Sequence, residues 1–455
     1  MGLTIVTGRE GALKAAPASE FPEIAESPRF TCALGGAYGA ALATFGAVPI
    51  LHSGLGCGMA NAHGMTYAAG LNSGGTAGTT TTPCSGLIEE HVVFGGEDKL
   101  RRLIDSTLKV MKGELFVVIS GCVPALIGDD VDSVIAEFKD RAPIVHVKTS
   151  GFVGNSLVGY NLYLDAIIDG FLSEKKETAK KLVNIFGIVP NQSPYWKGEL
   201  REIESLLAKI GVKANAIFAN FEPLGAIASV PNAALNLVFH PWAGVAAAQK
   251  LEERFGTPFI NFEHVPVGPQ QSADVLRTVG RKLKIPNAKV EKVIGAEEKN
   301  VYRYMEFLAE MFMISMPHAF FGVVGDSAAT ISYTRFGANE LGWNPEISVI
   351  TDDPPEETHA SIVARLTQNI QGAFRPQVFF DYDSYRIRER LNEHTLQVLL
   401  ASSLEKYVRG RDGEAFHLSV AYPIYDRVIV DRSYAGFRGG VALLEDISHS
   451  FAGPL

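Results

Sequence analysis

All four cysteines of this 455-residue chain, Cys32, Cys57, Cys84 and Cys122, fall within its first 122 residues. Thiolates bind soft metals and iron–sulfur clusters, so this placement predicts one shared site. Cys57 lies between Gly56 and Gly58, Cys122 follows Gly121, and Cys32 shortly precedes Gly35 and Gly36. Glycines of this kind let backbone N–H groups approach a sulfur and tune its potential. No pair is spaced Cys-x-x-Cys, which excludes zinc ribbons and ferredoxin-type motifs. Cysteine is also among the most buried residue types, so residue type alone leaves a structural reading equally open.

Other chemistry is weaker. The stretch HSGLGCGMANAHG (52–64) is glycine-rich and follows an apolar run, but Ala60 and Asn61 stand where a dinucleotide fingerprint needs its third glycine. No Asp or Glu occurs between Ser53 and Ile88 to take the ribose, and no phosphate-loop pattern is present. In GVVGDSAATIS (322–332) a strand runs into a helix, where Asp326 or Ser327 is expected as a structural cap. Asp129 and Asp130 read as caps of another helix. His52 is expected to bond backbone at a strand end, and His63, His91 and His240 read as surface or core residues. Arg427, Arg432 and Arg438 are expected to hold partner chains or carboxylates.

The length implies two or three domains. A formal net charge of -9 speaks against nucleic acid or an anionic membrane as partner. No apolar run reaches the roughly 18 residues of a membrane span, and the first residues lack a signal-peptide pattern, so a cytoplasmic protein is expected. Four cysteines are too few for a disulfide framework.

Positioning falls to an α/β series. AVPILHS (47–53), LFVVISG (115–121) and PIVHVKTS (143–150) read as buried strands, separated by helical patterns over 97–113 and 129–142. A second unit has strands at 182–190, 213–219 and 235–241 and a helix at 198–211. A third has strands at 319–326, 347–353 and 377–383 and a helix at 327–342. This predicts three Rossmann-like domains with mainly parallel sheets: 1–180 carrying the cysteines, 181–300, and 301–455. The charged stretches 173–181 and 281–300 are the expected joints. Ligands of such sheets bind beyond the carboxyl ends of the strands, where Cys57 and Cys122 both lie.

Four ordered segments, TCALGGAYGA (31–40), VPILHSGLGCG (48–58), VVFGGEDKLRRLI (92–104) and SGCVPALIGDDVDSVI (120–135), resemble the component 1 family of nitrogenase and nitrogenase-like reductases. The likeness continues through KTSGFVGNSLVGY (148–160) and PIYDRVIVDRSYAGFRGGVALLEDI (423–447), densely at both ends of the chain and thinly in the middle.

The resemblance implies an 8Fe-7S P-cluster at the interface of two related subunits, with three cysteines from each. In this chain these fall on Cys32, Cys57 and Cys122. Cys84 has no ligand counterpart, and a supplementary serine aligns near Ser150 or Gly151. α-type subunits hold an iron–sulfur catalytic cofactor through a middle Cys and a late His. Here Phe239 and His240 stand where that cysteine is needed and no cysteine follows Cys122, which points to a β-type subunit with the cofactor in its partner. The implied partners are a homologous α/D-type chain in an α2β2 assembly and a homodimeric, ATP-driven 4Fe-4S reductase. The wording HSGLGC and the stretch 70–86 depart from nitrogenase β subunits, and the chain looks most like the K-type subunits of methylthio-alkane reductases, which cleave C–S bonds. A nitrogenase β subunit and a non-catalytic scaffold for cofactor assembly are the alternatives.

Overall fold

The computed structural model describes residues 4–7, 13–15, 26, 29–70, 82–218, 224–315, 319–408, 410, 411, 413 and 415–452; for 4–7, 13–15 and a few helix positions only the backbone is described. The fold is α/β. Its strands form three sheets, parallel throughout except at the N-terminal strands.

The first sheet orders Ala47–His52, Leu115–Ser120 and Ile144–Lys148, pairing Ala47 with Leu115 and Phe116 with Ile144. The middle strand is buried along its whole length, which is why it reads as an uninterrupted apolar run. The helix Glu97–Val110 covers one face with Leu100, Ile104 and Thr107, a repeat of four then three residues. The helix expected over 129–142 spans only Val131–Ala136. Beyond it the bonds tighten to three residues, Phe138 N to Ile135 O and Arg141 N to Phe138 O, so the chain continues as turns.

The second sheet orders Lys213–Asn215, Ala179–Phe186, Ala233–Val238 and Phe259–Asn261. The third orders Phe416–Ser419, Val398–Ala401, Phe320–Gly325, Asn344–Ile350 and Gln377–Phe380. Thr4–Thr7 joins its far edge antiparallel to Gln377–Phe380, and Leu13–Ala15 pairs with Thr4–Thr7. The start of the chain thus lies on the third sheet, not beside the cysteines.

A continuous apolar core runs from Leu34 and Val117 through Tyr160 and Tyr163 to Leu235 and Val279, joining the first sheet to the second. At its centre the helices Ala33–Ala43 and Ser156–Gly170 touch backbone to backbone. A Cβ on Gly36 would sit 1.7 Å from Ser156 O, and one on Gly159 would sit 1.8 Å from Ala33 O. Glycine is required at both positions by this contact.

The charged stretch expected as a joint, 281–300, is mostly helical. It ends one helix and begins another, Asn287–Ser315, 29 residues long. Val290, Ile294 and Val301 form a buried stripe that fixes this helix to the core, and the charges occupy its other face. Of the stretch 173–181, residues 173–178 have no regular secondary structure and 179–181 begin the strand Ala179–Phe186.

Candidate functional site

Cys32, Cys57 and Cys122 lie near one another at the carboxyl-end rim of the first sheet, each at the start of a helix. Cys32 is the N-cap of Ala33–Ala43, Cys57 lies in the first turn of Leu55–Ala68, and Cys122 opens Cys122–Ile127. The glycine-rich stretch around Cys57 is therefore only partly a loop: it ends a strand at His52, turns at Ser53 and Gly54, and becomes helix at Leu55. Free N–H groups and the positive dipole end at each start favour a thiolate or an anionic cluster.

Gly151 makes the closest approach to sulfur. Its N–H donates to Cys122 Sγ at 2.9 Å. A Cβ there would sit 3.1 Å from that sulfur and 3.6 Å from Cys32 Cβ. The glycines beside the cysteines do other work. Gly35 makes room for Asn61 and Thr31, Gly36 for the helix contact, and Gly56 faces open space. Asn61 in turn donates to Cys57 O at 2.8 Å, bracing that first turn.

Burial raises the Cys57 thiol pKa, and the neighbouring thiols Cys122 and Cys32 push it further the same way. Positive charge brought among these thiols would reverse that repulsion. Cys84 sits on an isolated bridge to Leu51, with its sulfur 3.8 Å from Ser53 O, and is near enough to add a small further push to the Cys57 thiol in the same direction. Ser150 lies in the turn whose next residue, Gly151, touches sulfur. Among the described residues no group of three or more His, Cys, Asp or Glu side chains is placed to hold a single metal ion. The three thiols, the exposed Cys32 and the Gly151 cradle suit a larger sulfur-ligated group.

His52 differs from expectation. Its ring bonds side chains, Nε2 to Asp129 Oδ2 at 3.0 Å and Nδ1 to Ser85 Oγ at 3.1 Å. Asp129 also accepts from Gly96 N at 2.8 Å, leaving Asp130 as the cap that accepts from Ser133 N. Asp326 caps its helix through Ala329 N, as expected. His91 accepts from Ile88 N at 3.3 Å, and the side chain of His63 lies outside the described residues. Arg427 and Arg432 converge on the carboxylate of Asp446 in the same chain.

Around these cysteines the surface is apolar and uncovered. Phe94 is 84% exposed, and Val93, Leu126, Met59, Leu55 and Phe152 are also exposed. Large apolar side chains left exposed on and beside the elements that carry the cysteines mark an interaction face. Sequence reading missed it, because exposure of an apolar residue depends on the tertiary placement of its element.

A second strand-end crevice is closed. His240 is 2% exposed after the strand Ala233–Val238, and its Nδ1 accepts from Trp242 N and Ala243 N. Trp242 Nε1 donates to Asp352 Oδ2 at 2.8 Å, Ser327 binds the same carboxylate, and Phe239 stacks on Phe262. The adjoining space, lined by Glu199, Asp326 and Tyr333 among others, is about 30 Å³, room for a water or two. Burial first, and then Asp326, raises Glu199 to about 8 and Asp352 to about 7. Burial lowers His240 to about 3.

Comparison with known proteins agrees with this architecture. The solved structure of nitrogenase Cp1 at pH 6.5 superposes with a TM-score of 0.76 at 18% identity, covering 98% of this chain and 96% of that one. The nitrogenase molybdenum-iron protein beta chain of Methanothermobacter thermautotrophicus is 24% identical over 462 residues, 94% of each chain. The nitrogenase iron-molybdenum cofactor biosynthesis protein NifE of Bradyrhizobium diazoefficiens is 23% identical over 398 residues, 85% of this chain and 68% of that protein. Residues 32–452 match the family described as nitrogenase component 1 type oxidoreductase, and the chain belongs to that family.

Proposed function

We propose that this chain is the β-type subunit of a nitrogenase-like reductase and holds half of an interfacial 8Fe-7S cluster through Cys32, Cys57 and Cys122. The observation that carries the reading is the closeness of three cysteines at helix starts on a rim with exposed apolar side chains. When bound, such a cluster supplies one-electron storage and transfer. The chain's own residues supply three sulfur ligands, the Gly151 N–H bond to one of them, and the apolar rim that a homologous α/D-type chain would cover. That cover would exclude water and complete an α2β2 assembly in the cytoplasm, supplied with electrons by a homodimeric ATP-binding 4Fe-4S reductase. The side chains filling the His240 crevice favour a catalytic cofactor in the partner. Three domains are proposed along the segments 1–180, 181–300 and 301–455, with the strands Thr4–Thr7 and Leu13–Ala15 contributed to the third and the helix Asn287–Ser315 crossing the second boundary.

The finer reading is reductive C–S cleavage of methylthio-alkanes, supported by the departures at HSGLGC and 70–86; residues 71–81 of the latter lie outside the described residues. Similarity to NifE favours a second reading, a scaffold for cofactor assembly without turnover of its own.

The test is anaerobic co-purification of the chain with its partner and reductase. Iron-rich, coloured protein that consumes ATP and releases methanethiol from a thioether is expected. Acceptance of a cofactor precursor with no thioether turned over selects the scaffold, and colourless, iron-free protein rejects both. In Cys57→Ala, unchanged iron content and subunit association would remove the ligand assignment.

A further inference from the structure

Away from the cysteines, a cavity of about 530 Å³ opens beside the strand Phe259–Asn261. That volume lies within the roughly 300–1,000 Å³ of small-molecule sites. Four arginines line it: Arg277 and Arg281 from the helix Gly268–Lys282, Arg335 from Ser327–Asn339 and Arg365 from Glu356–Thr367. Two of them are matched by carboxylates. Arg277 grips Glu291 through two bonds of 2.9 Å, and Arg365 pairs with Glu263.

The other two are not. Arg335 donates through Nη1 to the carbonyls of Arg365 and Gln368, at 2.9 and 3.3 Å, and its Nε and Nη2 make no hydrogen bond among the described residues. Among the described residues the Arg281 guanidinium reaches only the Thr278 hydroxyl, at 3.4 Å. The remaining acid on the wall is Asp274, exposed and outside ion-pair distance of any arginine among the described residues. Burial and then Arg365 hold Arg335 below its ordinary range against a smaller opposing effect of Asp274, and burial followed by Arg365 and Arg335 holds the wall residue His264 down to about 3. Guanidinium forks match carboxylate and phosphate oxygens in pairs.

We propose that this cavity binds a small multivalent oxyanion, a polycarboxylate or a phosphate ester, through Arg335 and Arg281, with Arg365 as a further donor. The ligand would tie the helix Gly268–Lys282 to two helices of the third sheet, so its binding free energy becomes resistance to unfolding.

Calorimetric titration of the full chain with citrate, and separately with inorganic pyrophosphate, tests this at low salt. One saturable site is expected, with an unfolding temperature that rises with the concentration of the anion bound. Tighter citrate identifies a polycarboxylate, and tighter pyrophosphate a phosphate ester. Arg335→Gln should weaken binding about tenfold or more. Because Arg335 also holds two carbonyls, Arg281→Gln on the exposed rim is the second variant; it should weaken binding several-fold and leave the ligand-free unfolding temperature unchanged. Saturation by neither anion below about 10 mM, or binding indifferent to both substitutions, overturns the proposal.

Discussion

Nε2 of His52 lies 3.0 Å from Oδ2 of Asp129, joining the strand end that leads to Cys57 to the turn that follows the helix of Cys122. Two cysteine-bearing segments distant in sequence are thereby fixed to each other. Burial holds the His52 pKa down, so the ring is neutral near pH 7 and cannot form a full ion pair. Asp129→Ala removes the partner of a buried ring nitrogen and of Gly96 N–H, and should cost about 1–3 kcal/mol. Chemical denaturation would register that loss, and iron retained after anaerobic gel filtration should fall with it.

Gly36→Ala and Gly159→Ala should each be far more damaging than an ordinary glycine replacement in a helix. The added methyl meets backbone, which has no rotamer to escape into, at Ser156 O or Ala33 O. A loss of several kcal/mol or insoluble protein is expected, against about 1 kcal/mol gained from helix propensity. Gly56→Ala, which faces open space, is the control and should fold normally, as thermal melts would report.

Phe94→Asp should leave folding intact and abolish association with the partner chain. The side chain is 84% exposed and supports no core, so its removal costs the monomer little. In the complex it would bury a charge in an apolar contact, a penalty of several kcal/mol. Size-exclusion chromatography of the co-expressed pair reads the outcome directly.

Glu199→Gln should make the protein more stable at pH 9 and leave it nearly unchanged below about pH 4. Glu199 is raised to about 8, so its contribution is fully present below the unfolded value near 4.3 and disappears as pH climbs through 8. Asp352, raised to about 7, acts in the same direction. His240, lowered to about 3, acts oppositely: its contribution is present above about 6.5 and disappears as pH falls towards 3. Between roughly pH 4.5 and 6.5 these slopes oppose one another, and above that range the acids alone make stability fall. Glutamine mimics the protonated acid, so the alkaline gain, a few kcal/mol at most, should be seen in melts across this range.

How far the sequence speaks depends on how local the cause is. The strands at 115–120 and 320–325 are legible because full burial demands unbroken apolar runs, and Asp130 and Asp326 because a cap bonds N–H groups three residues away. The cysteines are legible as a group through rarity and position. Gly151 is visible only as an ambiguity beside Ser150, because its N–H reaches a sulfur 29 residues earlier in the chain. The length of the helix Asn287–Ser315 is obscured by its charges, although Val290, Ile294 and Val301 carry the buried stripe. The pairing of His52 with Asp129 leaves no sequence mark, since either residue alone has an adequate local explanation.

The residues just before Cys32 add a constraint of timing. Arg29 is buried against Glu405 and also donates to Ser402 and Ser384, while Glu26 N donates to Asp383. Every one of these acceptors is made more than 350 residues later. At about 5–20 residues per second, the ribosome needs tens of seconds to deliver them. Until then the arm ahead of Cys32 lacks this clamp, whereas Cys32 itself is held by the first sheet's own helices: it bridges Asn155, and Ala33 N donates to Gly154 O. All three thiols can therefore stand on the first sheet before the far end of the chain is made, and a C-terminally truncated chain would leave only the arm ahead of Cys32 unclamped.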